Sequence, residues 1–334
     1  MRRTVAAPLS IALVLALSGP ASSATVPATE ACQRPRCFDV AVPHAPSVKV
    51  PDNRVRIVLP AGYRSHGPGY PVLYLLHGVG DTYAKWSENT DLVGFTRRFR
   101  VIVVMPDAGH GSDAGWYSDW KDDSRDWESF HIDTLIPWVD ARFNTLGDGH
   151  RAVAGFSMGG FGAMSYAARH PGLFAAAATF SGAVDTQYVA PLSGVAFGAF
   201  GDRLGTPDDR VWGDQTADSA TWSAHNPTAL APNLACTQLW IATGNGAPGG
   251  PAGDDPSKGQ QYPIEHFIWQ MNLSFMRALD DAGVDYHEDL YGGGYHGWPY
   301  WQMDLHRTLP GIVKVIRKGA AQEPCLARIK PLAA

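Results

Sequence analysis

The residues with the most distinctive chemistry lie in the stretch Gly155-Phe156-Ser157-Met158-Gly159, where one serine stands between two glycines. An apolar run at 151–154 precedes it, and a segment typical of a helix follows until Pro171-Gly172. Strand, Gly-x-Ser-x-Gly and helix together form the pattern of a nucleophile elbow, a strained turn that exposes a serine hydroxyl. The pattern predicts that Ser157 is a nucleophile, with the N-terminus of the next helix facing it.

A serine hydroxyl needs a base within hydrogen-bond reach and a carboxylate that orients the base. Six histidines follow Ser157 in the chain. His296 fits best, because it lies in a glycine-rich loop directly after the last predicted strand, 286–291. His287 lies inside that strand, and His306 lies on the closing helix. We therefore predict that His296 is the base.

The acid is not determined by the residues alone. In many hydrolases of this pattern an Asp follows the strand that here spans 237–242. The loop at 243–247 carries no carboxylate, and the candidates downstream are Asp254, Asp255 and Glu265. All three remain open at this point.

An oxyanion that forms on the substrate needs two backbone N–H donors. We expect one from Met158, directly after the nucleophile, and one from Val79, with Gly78 allowing the turn. His77, next to this turn, is either a residue that contacts substrate or a buried residue that supports the loop.

The elements that must position these residues alternate between strand and helix, which predicts an α/β fold with a mostly parallel central sheet and helices on both faces. With 334 residues, 45% of them hydrophobic, the chain suits one domain over 25–334, with an insertion of short helices and loops at about 183–235. The net charge of −5 argues against nucleic acid as a partner. The predicted strands are 37–42, 53–59, 70–76, 101–105, 151–154, 174–180, 237–242 and 286–291, and the main predicted helices are 127–143, 160–170, 263–282 and 301–317.

Residues 1–24 have the pattern of a secretory signal peptide: Arg2 and Arg3, an apolar run at 8–17, and small residues at Ser22-Ser23-Ala24. The apolar run is too short to span a membrane as a helix. No later stretch is apolar enough to do so, and we expect an exported protein without stable membrane insertion.

Four cysteines agree with export, since disulfides persist in oxidising compartments. Cys32 and Cys37 are close enough to close a small loop, and Cys236 could then join Cys325 in the C-terminal tail. This is the most economical of three possible connectivities. The spacing of the cysteines does not suggest a metal site.

Beyond these motifs, the chain resembles the esterase-D-like α/β-hydrolases, and among them the secreted antigen 85 mycolyltransferases of actinobacteria. The resemblance covers about 50–310. Its motifs are Leu75-Leu76-His77-Gly78, Tyr117-Ser118-Asp119-Trp120, Trp127-Glu128-Ser129-Phe130, the elbow, Phe180-Ser181-Gly182, Gly244-Asn245-Gly246 and His296-Gly297-Trp298-Pro299-Tyr300-Trp301.

The resemblance implies the α/β-hydrolase fold and matches Ser157 and His296 to the nucleophile and base of the family. It also favours Glu265 as the acid, on the helix after the Gly-Asn-Gly loop. It implies no metal and no organic cofactor. The chain departs from antigen 85 at His77 and Gly80, where that family has the Asp and Arg associated with its trehalose site. This departure argues against mycolyl transfer to trehalose.

The expected function is a secreted serine esterase that forms an acyl-enzyme on Ser157. The alternatives are an acyltransferase acting on a sugar or glycolipid, an acetyl or feruloyl carbohydrate esterase, and a non-catalytic binding protein. The substrate is an ester or acyl-glycolipid, with His77, Trp120 and Trp298 as candidate contacts. The large aromatics that could stack on sugars are Trp116, Tyr117, Trp120, Trp298, Tyr300 and Trp301, and core packing is the alternative for them. Acyl length, acceptor and oligomeric state remain open.

Overall fold

The computed structural model describes residues 32–33, 35–189 and 209–319. Eight strands in these ranges form one sheet, in the order β1-β2-β4-β3-β5-β6-β7-β8. The strands are β1 (Cys37–Ala41), β2 (Arg54–Val58), β3 (Val72–Leu76), β4 (Ile102–Pro106), β5 (Arg151–Phe156), β6 (Ala176–Phe180), β7 (Gln238–Thr243) and β8 (Tyr286–Leu290).

The sheet is parallel from β4 to β8, and β1 and β2 are antiparallel additions on one side. The alternation of apolar and polar residues in 37–42 and 53–59 is typical of edge strands, and β1 is one, but β2 lies between β1 and β4. Its apolar side chains explain this place, because Val55, Ile57 and Val58 are fully buried. A strand with that much buried apolar surface gains more from two neighbours than from one.

Helices follow most of the parallel strands. They are α1 (Lys85–Asn89), α2 (Leu92–Phe95), α3 (Trp127–Ser129), α4 (Ile136–Arg142), α5 (Met158–Arg169), α6 (Asp209–Trp212), α7 (Ser219–His225), α8 (Gln261–Ala282) and α9 (Trp298–Lys318). A π-helical turn at Phe130–Leu135 joins α3 to α4, so the predicted helix at 127–143 is one interrupted segment. Helix α9 begins three residues before its predicted start, since Pro299 is well suited to a first helical turn.

Side chains of the central strands alternate between two apolar layers. From β3, Tyr74 and Leu76 pack into the layer that contains α3–α5 and α8, whereas Leu73 and Leu75 pack into the layer that contains α1, α2 and α9. All residues of β3–β6 are buried. The predicted fold, a mostly parallel sheet with helices on both faces, is therefore confirmed.

Some of the sequence predictions concern residues outside the described ranges. The signal peptide at 1–24 lies outside the described residues, and so does 190–208 of the expected insertion. Cys32 and Cys37 form a disulfide with a Cα–Cα distance of 4.9 Å. Cys325 lies outside the described residues, and its pairing with Cys236 stays a prediction. No helix of the described ranges has both the length and the hydropathy required to cross a membrane.

Candidate active site

Ser157 lies at the turn between β5 and α5, with φ 54° and ψ −121°. This conformation is sparsely populated by residues with a Cβ and persists only where the surroundings hold it. Three backbone hydrogen bonds do so: the Ser157 N–H donates to Phe180 O, and Ser157 O accepts from Phe161 N and Ala183 N. A Cβ at Gly155 would lie 2.4 Å from the Gly159 carbonyl carbon, so this tight turn requires glycine.

Ser157, His296 and Glu265 form one hydrogen-bonded series. The Ser157 Oγ lies 3.0 Å from His296 Nε2, and His296 Nδ1 lies 2.8 Å from Glu265 Oε2. Both distances are within the range required for proton transfer and for orientation of a base. His296 extends from the loop between β8 and α9, as the sequence predicted.

The carboxylate of Glu265 is fully buried and well supplied with donors. Its Oε1 accepts from the Ser181 hydroxyl at 2.7 Å and from the Gly244 N–H at 2.9 Å, and the Thr243 hydroxyl lies 3.1 Å away. Since these three groups can all donate, Oε1 is occupied as an acceptor and Oε2 remains for His296. Such an acid can stabilise an imidazolium at His296.

The two other candidate acids, Asp254 and Asp255, have hydrogen-bond partners away from His296. Asp254 is exposed and accepts from the Gly249 N–H and the Tyr262 hydroxyl. Asp255 caps a short helical turn through the Ser257 N–H. Neither carboxylate has a hydrogen bond to His296, and the geometry therefore favours Glu265.

Sequence reasoning missed the residues that hold Glu265. Ser181 follows β6, and Thr243 and Gly244 stand at the end of β7. These two strands are parallel neighbours, so their carboxyl ends meet at the same edge of the sheet. That rule, applied to polar residues at predicted strand ends, would have found them.

The loop after β3 meets the N-terminus of α5 beside Ser157. A Cβ at Gly159 would lie 2.6 Å from Leu76 O and 2.7 Å from His77 O, so only glycine allows this approach. Met158 is the first residue of α5, where backbone N–H groups have no partner within the helix. Val79 follows in the β3 loop, whose position is fixed by a hydrogen bond from Gly111 N to Val79 O. The two expected oxyanion donors thus belong to segments in close contact.

His77 is 1% exposed. Its Nε2 accepts from the Ala108 N–H at 3.0 Å, so its Nδ1 carries the proton and donates to Gly78 O at 2.9 Å. Burial lowers the pKa of His77, which keeps the ring neutral. These contacts favour the second interpretation of His77, a buried residue that supports the loop, over direct contact with substrate.

Most of the aromatics considered for sugar stacking are core residues. Trp116, Tyr117, Trp120, Tyr300 and Trp301 are buried, and the Trp120 Nε1 donates to Gly115 O. Trp298 is partly exposed, and its ring packs on Phe156 with centroids 4.6 Å apart. Of the six, Trp298 is therefore the one whose side chain keeps a partly exposed surface, whereas the ring that contacts His296 is the buried Trp301, with centroids 5.1 Å apart.

Comparison with known proteins shows the family of this chain. The Esterase family model matches residues 51–312. Esterase Rv1288 of Mycobacterium tuberculosis is 35% identical over 286 residues, which cover 80% of this chain and 58% of that protein. The chain thus spans little more than half the length of this relative. Diacylglycerol acyltransferase/mycolyltransferase Ag85B of Mycobacterium leprae is 30% identical over 79% of this chain and 82% of that protein.

Solved structures share the fold. MPT51 (FbpC1) of Mycobacterium tuberculosis superposes with a TM-score of 0.64 at 25% identity, over 84% of this chain and 99% of that one. The fluorophosphonate-binding serine hydrolase FphF of Staphylococcus aureus gives 0.63 at 20% identity, over 83% and 98%. The elbow, the family match and the α/β-hydrolase architecture agree, and the chain belongs to the Esterase family, with antigen 85 proteins among its relatives.

Proposed function

We propose that this protein is a secreted serine esterase that cleaves carboxylic esters through an acyl-enzyme on Ser157. The observation that carries the proposal is the continuous series Ser157 Oγ–His296 Nε2–His296 Nδ1–Glu265 Oε2, with distances of 3.0 and 2.8 Å. Export rests on the signal-peptide pattern at 1–24.

In the first half of the reaction, His296 Nε2 takes the proton of Ser157 Oγ while that oxygen attacks the ester carbonyl carbon. The N–H groups of Val79 and Met158 donate to the oxyanion, and Glu265 stabilises the imidazolium through Nδ1. The imidazolium then gives its proton to the leaving alkoxide oxygen. The products of this half are a free alcohol and an acyl ester on Ser157.

In the second half, His296 takes a proton from water, and the resulting nucleophile attacks the acyl-enzyme. A new tetrahedral intermediate collapses, Ser157 recovers its proton from His296, and the carboxylic acid leaves. An acceptor alcohol that replaces water would give transfer instead of hydrolysis. The acyltransferase names of the Ag85 relatives make transfer the second candidate.

The test uses a fluorophosphonate probe and p-nitrophenyl butyrate. We expect the probe to label the wild-type protein, and Ser157→Ala to abolish labelling and lower kcat by at least about 10³-fold. Ser219→Ala, at an exposed serine on α7, is the matched control and should behave as wild type. Near-normal hydrolysis by Ser157→Ala would overturn the mechanism, and an unlabelled wild type would support a binding protein.

Product analysis separates the two candidate reactions. Butyrate release in the absence and presence of glycerol or trehalose should give mainly free acid for an esterase. A dominant acylated acceptor at millimolar acceptor concentration would favour the acyltransferase.

A further inference from the structure

The hydroxyl of Tyr117 contacts both backbone groups of one residue, His77, at the end of β3. It accepts a hydrogen bond from the His77 N–H at 2.9 Å and donates one to His77 O at 3.0 Å. His77 is the first residue after β3, where the pairing of this strand with β4 and β5 has ended. Tyr117 is 0% exposed, so water does not compete for either contact. The hydroxyl thus takes the place of a neighbouring strand for His77.

Tyr117 reaches this position through an unusual backbone conformation. Trp116 and Tyr117 have φ of 49° and 48°, a region that residues with a Cβ rarely adopt. Such strain persists only where the surrounding structure holds it, and it is concentrated at functional sites. The Tyr117 ring packs on α5, since a Cβ at Gly162 would lie 2.5 Å from the Cδ2 of the ring. The same side chain therefore contacts the helix that follows Ser157 and the segment that leads to Val79.

The direction of the Val79 N–H, the proposed oxyanion donor, depends on the carbonyl of Gly78. The two groups belong to one planar trans peptide unit and point in opposite directions. Gly78 O accepts from the Asp81 N–H at 3.1 Å and from His77 Nδ1 at 2.9 Å. The His77 ring can hold this carbonyl only while the His77 backbone stays in place, and the Tyr117 hydroxyl holds that backbone.

We propose that Tyr117 is a positioning residue of the oxyanion hole: its hydroxyl fixes His77 and, through His77, the direction of the Val79 N–H. This inference rests on the proposed function. Tyr117 does not touch substrate, because it is fully buried. Without the hydroxyl, the loop after β3 is free to shift, and the Val79 donor no longer points at the oxyanion. Such a change weakens binding of the transition state and leaves binding of the ester unchanged.

The test is Tyr117→Phe, which removes only the hydroxyl. We expect kcat for p-nitrophenyl butyrate, per fluorophosphonate-labelled site, to fall about 10- to 100-fold, with KM within about twofold of wild type. Hexyl trifluoromethyl ketone gives a second readout, because Ser157 Oγ adds to its carbonyl carbon, His296 takes the serine proton, and an oxyanion forms. The Ki of this ketone should rise by about the factor by which kcat falls.

Tyr70→Phe is the matched control, at the other end of β3. Tyr70 is 1% exposed, and its hydroxyl also accepts from a backbone N–H, that of Arg64 at 3.1 Å. Urea unfolding should show a loss of stability in both variants, since each loses a buried hydrogen bond. Only Tyr117→Phe should change kcat and the Ki of the ketone.

Replacement of Tyr117 by p-aminophenylalanine is the conservative variant. Its amino group keeps a donor at the same position but is a weaker acceptor, so we expect values of kcat and Ki between those of wild type and Tyr117→Phe. This variant keeps the test valid if Tyr117→Phe does not fold, because a parallel change of kcat and Ki is still required of it.

Three results would overturn the inference. One is a kcat per labelled site and a Ki that both match wild type in the Tyr117 variants. Another is a higher KM with an unchanged Ki, which would mean that the hydroxyl affects only binding of the ester. The third is an equal fall in kcat in Tyr70→Phe, which would trace the effect to general loss of stability. A wild type that is not labelled and does not hydrolyse the ester would instead refute the proposed function itself, and this inference with it.

Discussion

At the residue scale, Glu265 orients His296 with one carboxylate oxygen and is itself held by the other. Ser181 and Gly244 donate to Oε1, while Oε2 accepts from His296. An amide in this place would direct an NH₂ group either at these donors or at the His296 Nδ1–H. Either arrangement leaves donors facing one another, or forces His296 into the wrong tautomer.

We predict that Glu265→Gln lowers kcat for p-nitrophenyl butyrate about 10³- to 10⁴-fold with little loss of folding stability. Steady-state kinetics and the rate of fluorophosphonate labelling both measure this effect. Asp255→Asn, at the other candidate acid, should stay within about twofold of wild type, since Asp255 only caps a loop turn. A loss in Asp255→Asn as large as in Glu265→Gln would contradict the assignment of the acid.

At the element scale, the β3 loop and the elbow depend on close packing against one aromatic ring. A Cβ at Gly78 would lie 2.5 Å from the Phe156 ring. That ring has little freedom to move, because it stacks on Trp301 at 4.0 Å and meets Trp86 edge-on at 5.2 Å. A side chain at position 78 would therefore displace the loop and, with it, the Val79 donor.

Gly78→Ala should destabilise the protein by about 1–3 kcal/mol, as overpacking does, and also lower kcat. The control is Gly80→Ala two residues later, where a Cβ would meet nothing within 4 Å and stability should change by less than about 0.5 kcal/mol. Urea unfolding of both variants measures the difference. Equal stabilities would show that the loop tolerates the added methyl.

At the scale of the whole molecule, one buried acid makes stability depend on pH. Asp304 of α9 is 0% exposed, and within the described residues neither of its carboxyl oxygens has a hydrogen-bond partner. Burial, and then the charges of Glu265 and Asp289, raise the pKa of Asp304 well above its usual value, against the charge of Arg307. The folded protein thus keeps this proton at a pH where the unfolded chain has lost it.

Because the unfolded state binds fewer protons above about pH 4, this group lowers stability as pH rises, by about 1.4 kcal/mol per unit until the folded pKa is reached. We predict that Asp304→Asn flattens the decline of the free energy of unfolding between pH 5 and 8. Urea titrations at several pH values, with the exposed Asp285→Asn as control, provide the measurement. An Asp304→Asn slope identical to wild type would show that Asp304 is ionised in the folded protein.

Much of this molecule was predictable from local patterns. Each of the eight strands was expected within two residues or so of its observed bounds, because apolar runs between Gly and Pro residues mark buried strands well. The strand order was not predictable, since β3 lies between β4 and β5 through contacts distant in sequence. The apolar periodicity of 127–143 also did not reveal the π-helical turn at Phe130–Leu135.

The elbow at Ser157 and its pairing with His296 were predictable from the sequence. Both follow from local rules: a tight turn needs small residues beside the serine, and a glycine-rich loop after the last strand frees a histidine side chain. The residues around them depend on contacts between distant segments, and it was the family resemblance, not a local pattern, that favoured Glu265. Glu265 is 31 residues from His296 in the chain. Asp254 and Asp255 also carry carboxyl groups, so residue type alone does not tell which of the three is the acid of the triad. The choice among them depends on which carboxylate the parallel sheet buries beside His296, a long-range distance that no local pattern encodes. The burial of His77 depends on the same packing.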